Sequence, residues 1–149
     1  MSAAEDVRPA RADELDEAVA LLAACGLPPA GVEDQFPGAY LVLRDAGTGT
    51  LAGLAGVEAF GGDGLLRSVA VSETKRGTGL GRRLTAAALE HARARGVRSL
   101  YLLTETAGGF FPRFGFERVE RAELPASLEG SAELRGACPA SALAMRLRL

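Results

Sequence analysis

The sequence predicts a mixed α/β (α+β) domain, a central sheet flanked by helices. Strand-like runs alternate with stretches of helical period through the chain, and hairpins stand at both ends. A buried strand also leads through a glycine-rich turn into one long amphipathic helix. At 149 residues the chain holds one domain, residues 1–149, around one core.

Val7-Arg8-Pro9 opens as a short strand that Pro9 interrupts. Asp13 is expected to N-cap a first helix, with Leu15, Ala18, Val19, Leu22 and Ala23 at helical spacing and Gly26 and Pro28 ending it. Leu27 to Pro37 reads as a loop or short helix. Ala39 to Arg44 is a strand, and Leu51 to Phe60 is another, rich in glycine and small residues that permit close packing. A turn at Gly61–Gly64 leads into the strand Leu65 to Val71. The helix from Leu80 to Arg95 follows, with Leu80, Leu84, Ala87, Ala88 and Ala92 on one face and Gly96 closing it. Ser99 to Thr104 is a strand, Ala107 to Phe114 a short helix and Phe116 to Arg121 a strand. Leu124 to Pro139 is irregular or weakly helical, and Ala142 to Leu149 alternates as a final strand.

Hydrophobic residues make up 48% and charged residues 24%, the balance of an ordinary globular protein. A formal net charge of −2 argues against a nucleic-acid partner held by phosphate contacts. No apolar run approaches the roughly 20 residues that span a bilayer, so no membrane partner is expected. The acidic start Met1-Ser2-Ala3-Ala4-Glu5-Asp6 lacks the pattern of a secretory signal, and a cytoplasmic location is expected. There Cys25 and Cys138 are expected to be free, buried thiols. No cluster of His, Cys and Asp has metal-ligand spacing, so no metal is expected.

The most informative stretch is Arg76-Gly77-Thr78-Gly79-Leu80-Gly81 between strand and helix. Gly77, Gly79 and Gly81 let backbone N–H groups approach a ligand, and the helix start adds unpaired donors and partial positive charge. Lys75, Arg76, Arg82 and Arg83 surround the turn with cations. A P-loop needs Lys-Ser/Thr after its last glycine, and here Arg82-Arg83 follow. A dinucleotide turn needs Gly-x-Gly-x-x-Gly, and counting from Gly77 the third position is Arg82. A bare turn needs neither three alternating glycines nor four cations. The turn reads as a diphosphate cradle.

Arg76-x-x-Gly79-x-Gly81 resembles the [QR]-x-x-G-x-[GA] acetyl-CoA motif of the GNAT superfamily of N-acetyltransferases, and the order of elements resembles that family over nearly the whole chain. Phe110-Phe111-Pro112-Arg113-Phe114-Gly115-Phe116 sits where the family has its second CoA-contacting helix. The resemblance implies a sheet splayed between its fourth and fifth strands, with acetyl-CoA as cosubstrate in the gap. A narrower likeness, in Leu65 to Val71, Leu102-Leu103-Thr104, Phe110-Phe111 and Cys138 to Ala142, is to the GNAT proteins of arsenic-resistance operons. It implies an amino-acid-like arsenical as the acceptor.

On this resemblance Arg76 to Arg82 hold the diphosphate, and the backbones of Val69 and Val71 pair with the pantetheine as an added strand would. Many family members carry a tyrosine acid where this chain has Phe111, which would touch the cofactor without a proton to give. A thiol pKa of about 8.5 leaves the departing thiolate needing only water's help, and Tyr40 and Tyr101 read as strand residues. Glu58 and Glu105 are the candidate bases for the acceptor's ammonium, or else partners of Arg67. Arg67, inside an apolar strand and expected on the face of Leu65 and Val69, is either a structural ion pair or a clamp for an anionic acceptor. His91 is expected on the exposed side of its helix.

The expected activity is N-acetylation of a small-molecule amine. The competing readings are a non-catalytic acyl-CoA-binding sensor, favoured by the missing tyrosine, and an O-acetyltransferase. Homodimers are common in the superfamily, and the final strand is expected to offer a pairing edge.

Overall fold

The computed structural model describes residues 7–105, 109–132, 134 and 142–149. Among them seven strands form one sheet in the order β1-β2-β3-β4-β5-β7-β6. The strands are β1 (Arg8–Pro9), β2 (Tyr40–Arg44), β3 (Leu51–Phe60), β4 (Asp63–Val71), β5 (Ser99–Thr104), β6 (Glu117–Val119) and β7 (Leu143–Arg148). The helices are α1 (Leu15–Ala24), α2 (Val32–Gln35) and α3 (Leu80–Ala94). Only β4 and β5 run parallel, joined through α3; the other neighbours are antiparallel.

Each face of the sheet has its own cover. Leu80, Leu84, Ala88 and Ala92 of α3 pack with Leu41, Val57, Leu66, Leu100 and Met145. A fully buried leucine such as Leu84 or Leu100 contributes about 1.5–3 kcal/mol. The other face is covered in two parts. Ala18, Leu21 and Leu22 of α1 pack with Tyr40, Leu54 and Ala70. Leu128, from a 3₁₀ turn at Ala126–Gly130, packs with Leu65 and Tyr101. The small residues of β3 serve close approach: a Cβ on Gly53 would meet Leu84, and one on Gly56 would come within 2.6 Å of the Tyr40 ring.

Glycine ends both long helices as expected. Gly26 and Gly96 take left-handed φ values of 69° and 84°, and the next residues' amides reach back to Leu22 and Ala92.

Four local expectations are corrected. Asp13 lies in a 3₁₀ turn and does not cap α1, which begins at Leu15. It is Glu14 that organises the entry, accepting the Arg11 amide at 2.8 Å and two hydrogen bonds from Arg8. On α1 Leu21 is buried along with Ala18 and Leu22, while Ala23 is exposed. The final strand β7 is interior, paired with β5 along its length and with β6 at Ala144–Arg146, because β6 returns outside it. Finally, Arg67 shares a face with Leu65 but not with Val69. A bulge sets Ser68 and Val69 opposite Ala55, so the alternation of β4 slips by one residue.

Candidate functional site

β4 and β5 pair only at Asp63–Ser99, Gly64–Leu100 and Leu65–Tyr101. Past Leu65 the bulge bends β4 away, and Ser68 takes a φ of 59° at its centre. The sheet is therefore splayed between its fourth and fifth strands, and the β4 edge from Leu66 to Val71 has no β5 partner.

At the open end of β4 lies a cleft of ≈ 390 Å³ beside Val71. One side is the turn carrying Lys75, Arg76, Gly77, Gly79, Gly81 and Arg82; the other is Phe110 and Arg113, from the β5–β6 connection. Gly77 and Gly79 hold φ values of 81° and 88°, which disfavour any side chain. A Cβ on either would meet nothing within 4 Å, so the space above the turn is open. Gly79 is the N-cap of α3, and no side chain caps the helix. The Thr78 hydroxyl, which stands next to the cap, donates instead to the Lys75 carbonyl. The first-turn amides of α3 thus face the cleft without a side-chain acceptor, beside the cations Lys75, Arg82 and Arg113. That donor set fits an anion of diphosphate size. Leu80 is buried in the core below, and Arg76 folds back, its Nε donating to the Val71 carbonyl at 3.2 Å.

Phe111 sits elsewhere than expected. It is buried in the α3-side core, edge-on to Phe116 with ring centroids 5.8 Å apart, and its neighbour Phe110 lines the cleft. In a single 3₁₀ turn, two adjacent rings point in different directions, and the sequence Phe110-Phe111 does not say which one faces inward.

A second polar group lies on the opposite face, at the seam between its two apolar covers. Arg67 and Glu58 are both buried, with Arg67 Nη1 3.3 Å from Glu58 Oε2. Arg67 also donates through Nη2 to the Pro28 carbonyl at 3.0 Å and through Nε to Ser68 Oγ at 3.1 Å. Ser68 Oγ lies 3.4 Å from the Tyr40 hydroxyl. Glu58 Oε1 is buried with no hydrogen-bond partner among the described residues. A buried orphan oxygen is costly and marks a place where a donor is missing. Glu105, the other carboxylate of interest, is exposed just past β5. No sequence signal singled out Ser68, since its role depends on the bulge.

Cys25, at the end of α1, is half-buried, its thiol 3.5 Å from the Val71 carbonyl. Cys138 lies outside the described residues. His91 is half-buried rather than exposed, and its Nε2 is enclosed without a partner among the described residues. Burial and the nearby Arg95 lower its pKa, against a backbone hydrogen bond to Gly38 that raises it. Among the described residues no group of three or more His, Cys, Asp or Glu could hold a metal, and no helix is long and apolar enough to cross a membrane.

Residues 37–118 match the acetyltransferase (GNAT) domain. No curated protein is significantly similar in sequence. Among solved structures, Rv2747 from Mycobacterium tuberculosis, in complex with CoA, aligns with a TM-score of 0.78 at 20% identity, over 96% of this chain and 98% of that one. N-acetylglutamate synthase from Neisseria gonorrhoeae, complexed with coenzyme A and N-acetyl-glutamate, aligns with a TM-score of 0.80 at 24% identity. That match covers 97% of this chain and 35% of the synthase, so the chain spans about a third of it. A GNAT-family acetyltransferase from Staphylococcus aureus aligns with a TM-score of 0.77 at 13% identity, over 97% and 98% of the two chains. With the domain match spanning more than half of its residues and the splayed sheet in place, the chain belongs to the GNAT acetyltransferase family.

Proposed function

We propose that the protein is an acetyl-CoA-dependent N-acetyltransferase acting on a small amine that also carries an anionic group. The observation that carries this reading is that β4 has an open anion cradle at its end and, at its middle, the buried Arg67 paired with Glu58 of the neighbouring β3. Gly77, Thr78, Gly79, Leu80, Gly81 and Arg82 contribute the turn and first-turn amides for the diphosphate, with Arg76 and Arg82 as cations. Val69 and Val71 lie on the β4 edge that has no β5 partner and offer backbone there to the pantetheine, with the Val71 carbonyl already accepting from Arg76 Nε. Phe110 takes the cleft-lining position first given to Phe111.

Arg67 is the anchor for the acceptor's anion, which would replace the Pro28 carbonyl on its Nη edge. Glu58 is the base of choice, because its Oε1 lacks a donor that an acceptor ammonium would supply. Glu105 is the alternative, acting through water from the mouth of the gap. The CoA thiolate leaves without a protein acid, since the side chain at 111 has no proton and is packed in the core. Within the anionic amines, an amino-acid-like arsenical is the acceptor that the arsenic-operon resemblance favours.

The core position of Phe111 also favours a second reading, a CoA-binding sensor without turnover. A screen of amines and amino acids, including arsenical and phosphinic analogues, tests both by following release of free CoA thiol. Steady release with an amine supports the transferase. CoA binding without release for any acceptor would replace it with the sensor.

A further inference from the structure

Ser68 is the only non-glycine with a positive φ among the described residues. Left-handed backbone at a serine is strained and persists only where the surroundings fix it. The consequence here is geometric. In a regular strand consecutive side chains point to opposite faces, so Ser68 could not touch Arg67. The left-handed turn brings its hydroxyl to the same side, where Oγ accepts from Arg67 Nε at 3.1 Å. Tyr40 holds the hydroxyl from the other side at 3.4 Å. Tyr40 is itself fully buried, its ring laid on Gly56 where even a Cβ would collide. Ser68 is thus a fixed acceptor for one edge of the guanidinium. The opposite edge, Nη1 and Nη2, points to Glu58 and to the Pro28 carbonyl.

We propose that Ser68 is a positioning residue of the acceptor site. Its hydroxyl holds Arg67 by Nε, so that the Nη edge is presented in one orientation to a planar or tetrahedral anion. This rests on the reading of Arg67 as the anion anchor. It adds that the anchor works only when its far edge is tethered, and that the strained bulge exists to supply the tether.

The test separates the hydroxyl from the backbone. Glycine adopts a φ of 59° freely, so Ser68→Gly keeps the bulge and relieves its strain while removing the side chain that carries the hydroxyl. The probe is 2-amino-4-phosphonobutyrate, an amino acid with an oxyanion, titrated by calorimetry into CoA-saturated protein. Ser68→Gly is expected to melt at the same or a higher temperature and to bind CoA within about twofold of the parent. Its affinity for the probe should fall by about tenfold, the scale of one hydrogen bond to a charged group. Ser68→Asn, which tolerates the left-handed region and carries an acceptor oxygen, should restore part of that loss. A parallel titration of Arg67→Lys tells the two failures apart. If the probe does not bind the parent, or binds Arg67→Lys equally well, the anchor reading fails and the proposal falls with it. If the probe is lost in Arg67→Lys but retained in Ser68→Gly, the anchor stands and Ser68 is merely conformational.

Discussion

Arg67 Nη1 lies 3.3 Å from Glu58 Oε2, and the two side chains are 0% and 2% exposed. Residues that share this face at Gly56–Arg67 and Glu58–Leu65 register are diagonal neighbours, so the contact is built into the β3–β4 ladder. Removing one partner of such a pair costs about 3–5 kcal/mol, whereas Arg67→Lys keeps the charge and loses the planar fork. The expected outcome is a raised acceptor KM with acetyl-CoA affinity nearly intact. A variant that fails to fold would reduce Arg67 to a structural partner of Glu58.

Gly79→Val addresses the cradle. The side chain would stand in the open space above the turn and disfavour the φ of 88°. CoA binding should be abolished in a protein that still folds, because a Cβ there meets no protein atom. Unchanged CoA affinity by calorimetry in the folded variant would remove the diphosphate from this site.

The adjacent phenylalanines should divide binding from stability. Phe110→Ala is expected to weaken CoA about tenfold with a small change in melting temperature, since the ring lines the cleft. Phe111→Leu should keep activity within about tenfold and lose about 1–2 kcal/mol of stability, the cost of reshaping a packed core site. The rate should rise with pH as the acceptor amine loses its proton, with no fall near pH 9–10 from an essential phenol. A falling limb that disappears in Tyr40→Phe or Tyr101→Phe would assign the acid to that residue.

Glu14 ties α1 to the sheet edge and should govern acid stability. Hydrogen bonds from Arg8 lower its pKa from 4.5 to about 2, with the Arg11 amide and Arg44 adding to the shift against the cost of burial. A carboxyl depressed in the folded state contributes stability above its unfolded pKa and loses it as pH falls. The contribution is about 3 kcal/mol, complete above pH 4.5 and gone near pH 2. Glu14→Gln should lower stability at neutral pH by about 2–3 kcal/mol and flatten its dependence between those limits. A chemical-denaturation series from pH 2 to 7 reads both effects, and parallel curves for the two proteins would contradict them.

The sequence alone determined what is local. The limits Leu51–Phe60 and Ser99–Thr104 match their strands residue for residue, because period and turn glycines act within a few positions. Gly26 and Gly96 end their helices where left-handed backbone is needed, and Arg76 to Gly81 lead into a helix, begun at Leu80, that no side chain caps. Only the tertiary structure decided which way side chains point across distance. Strict alternation set Arg67 with Val69, yet the one-residue bulge against Ala55 turned them to opposite faces. Phe110 and Phe111 are chemically alike, and only the packing around Phe116 chose the buried one. Glu14 meets Arg44 across 30 residues, and Arg67 meets Pro28 across 39. Such partners are selected by strand register and loop closure, which the pattern of any single segment does not encode.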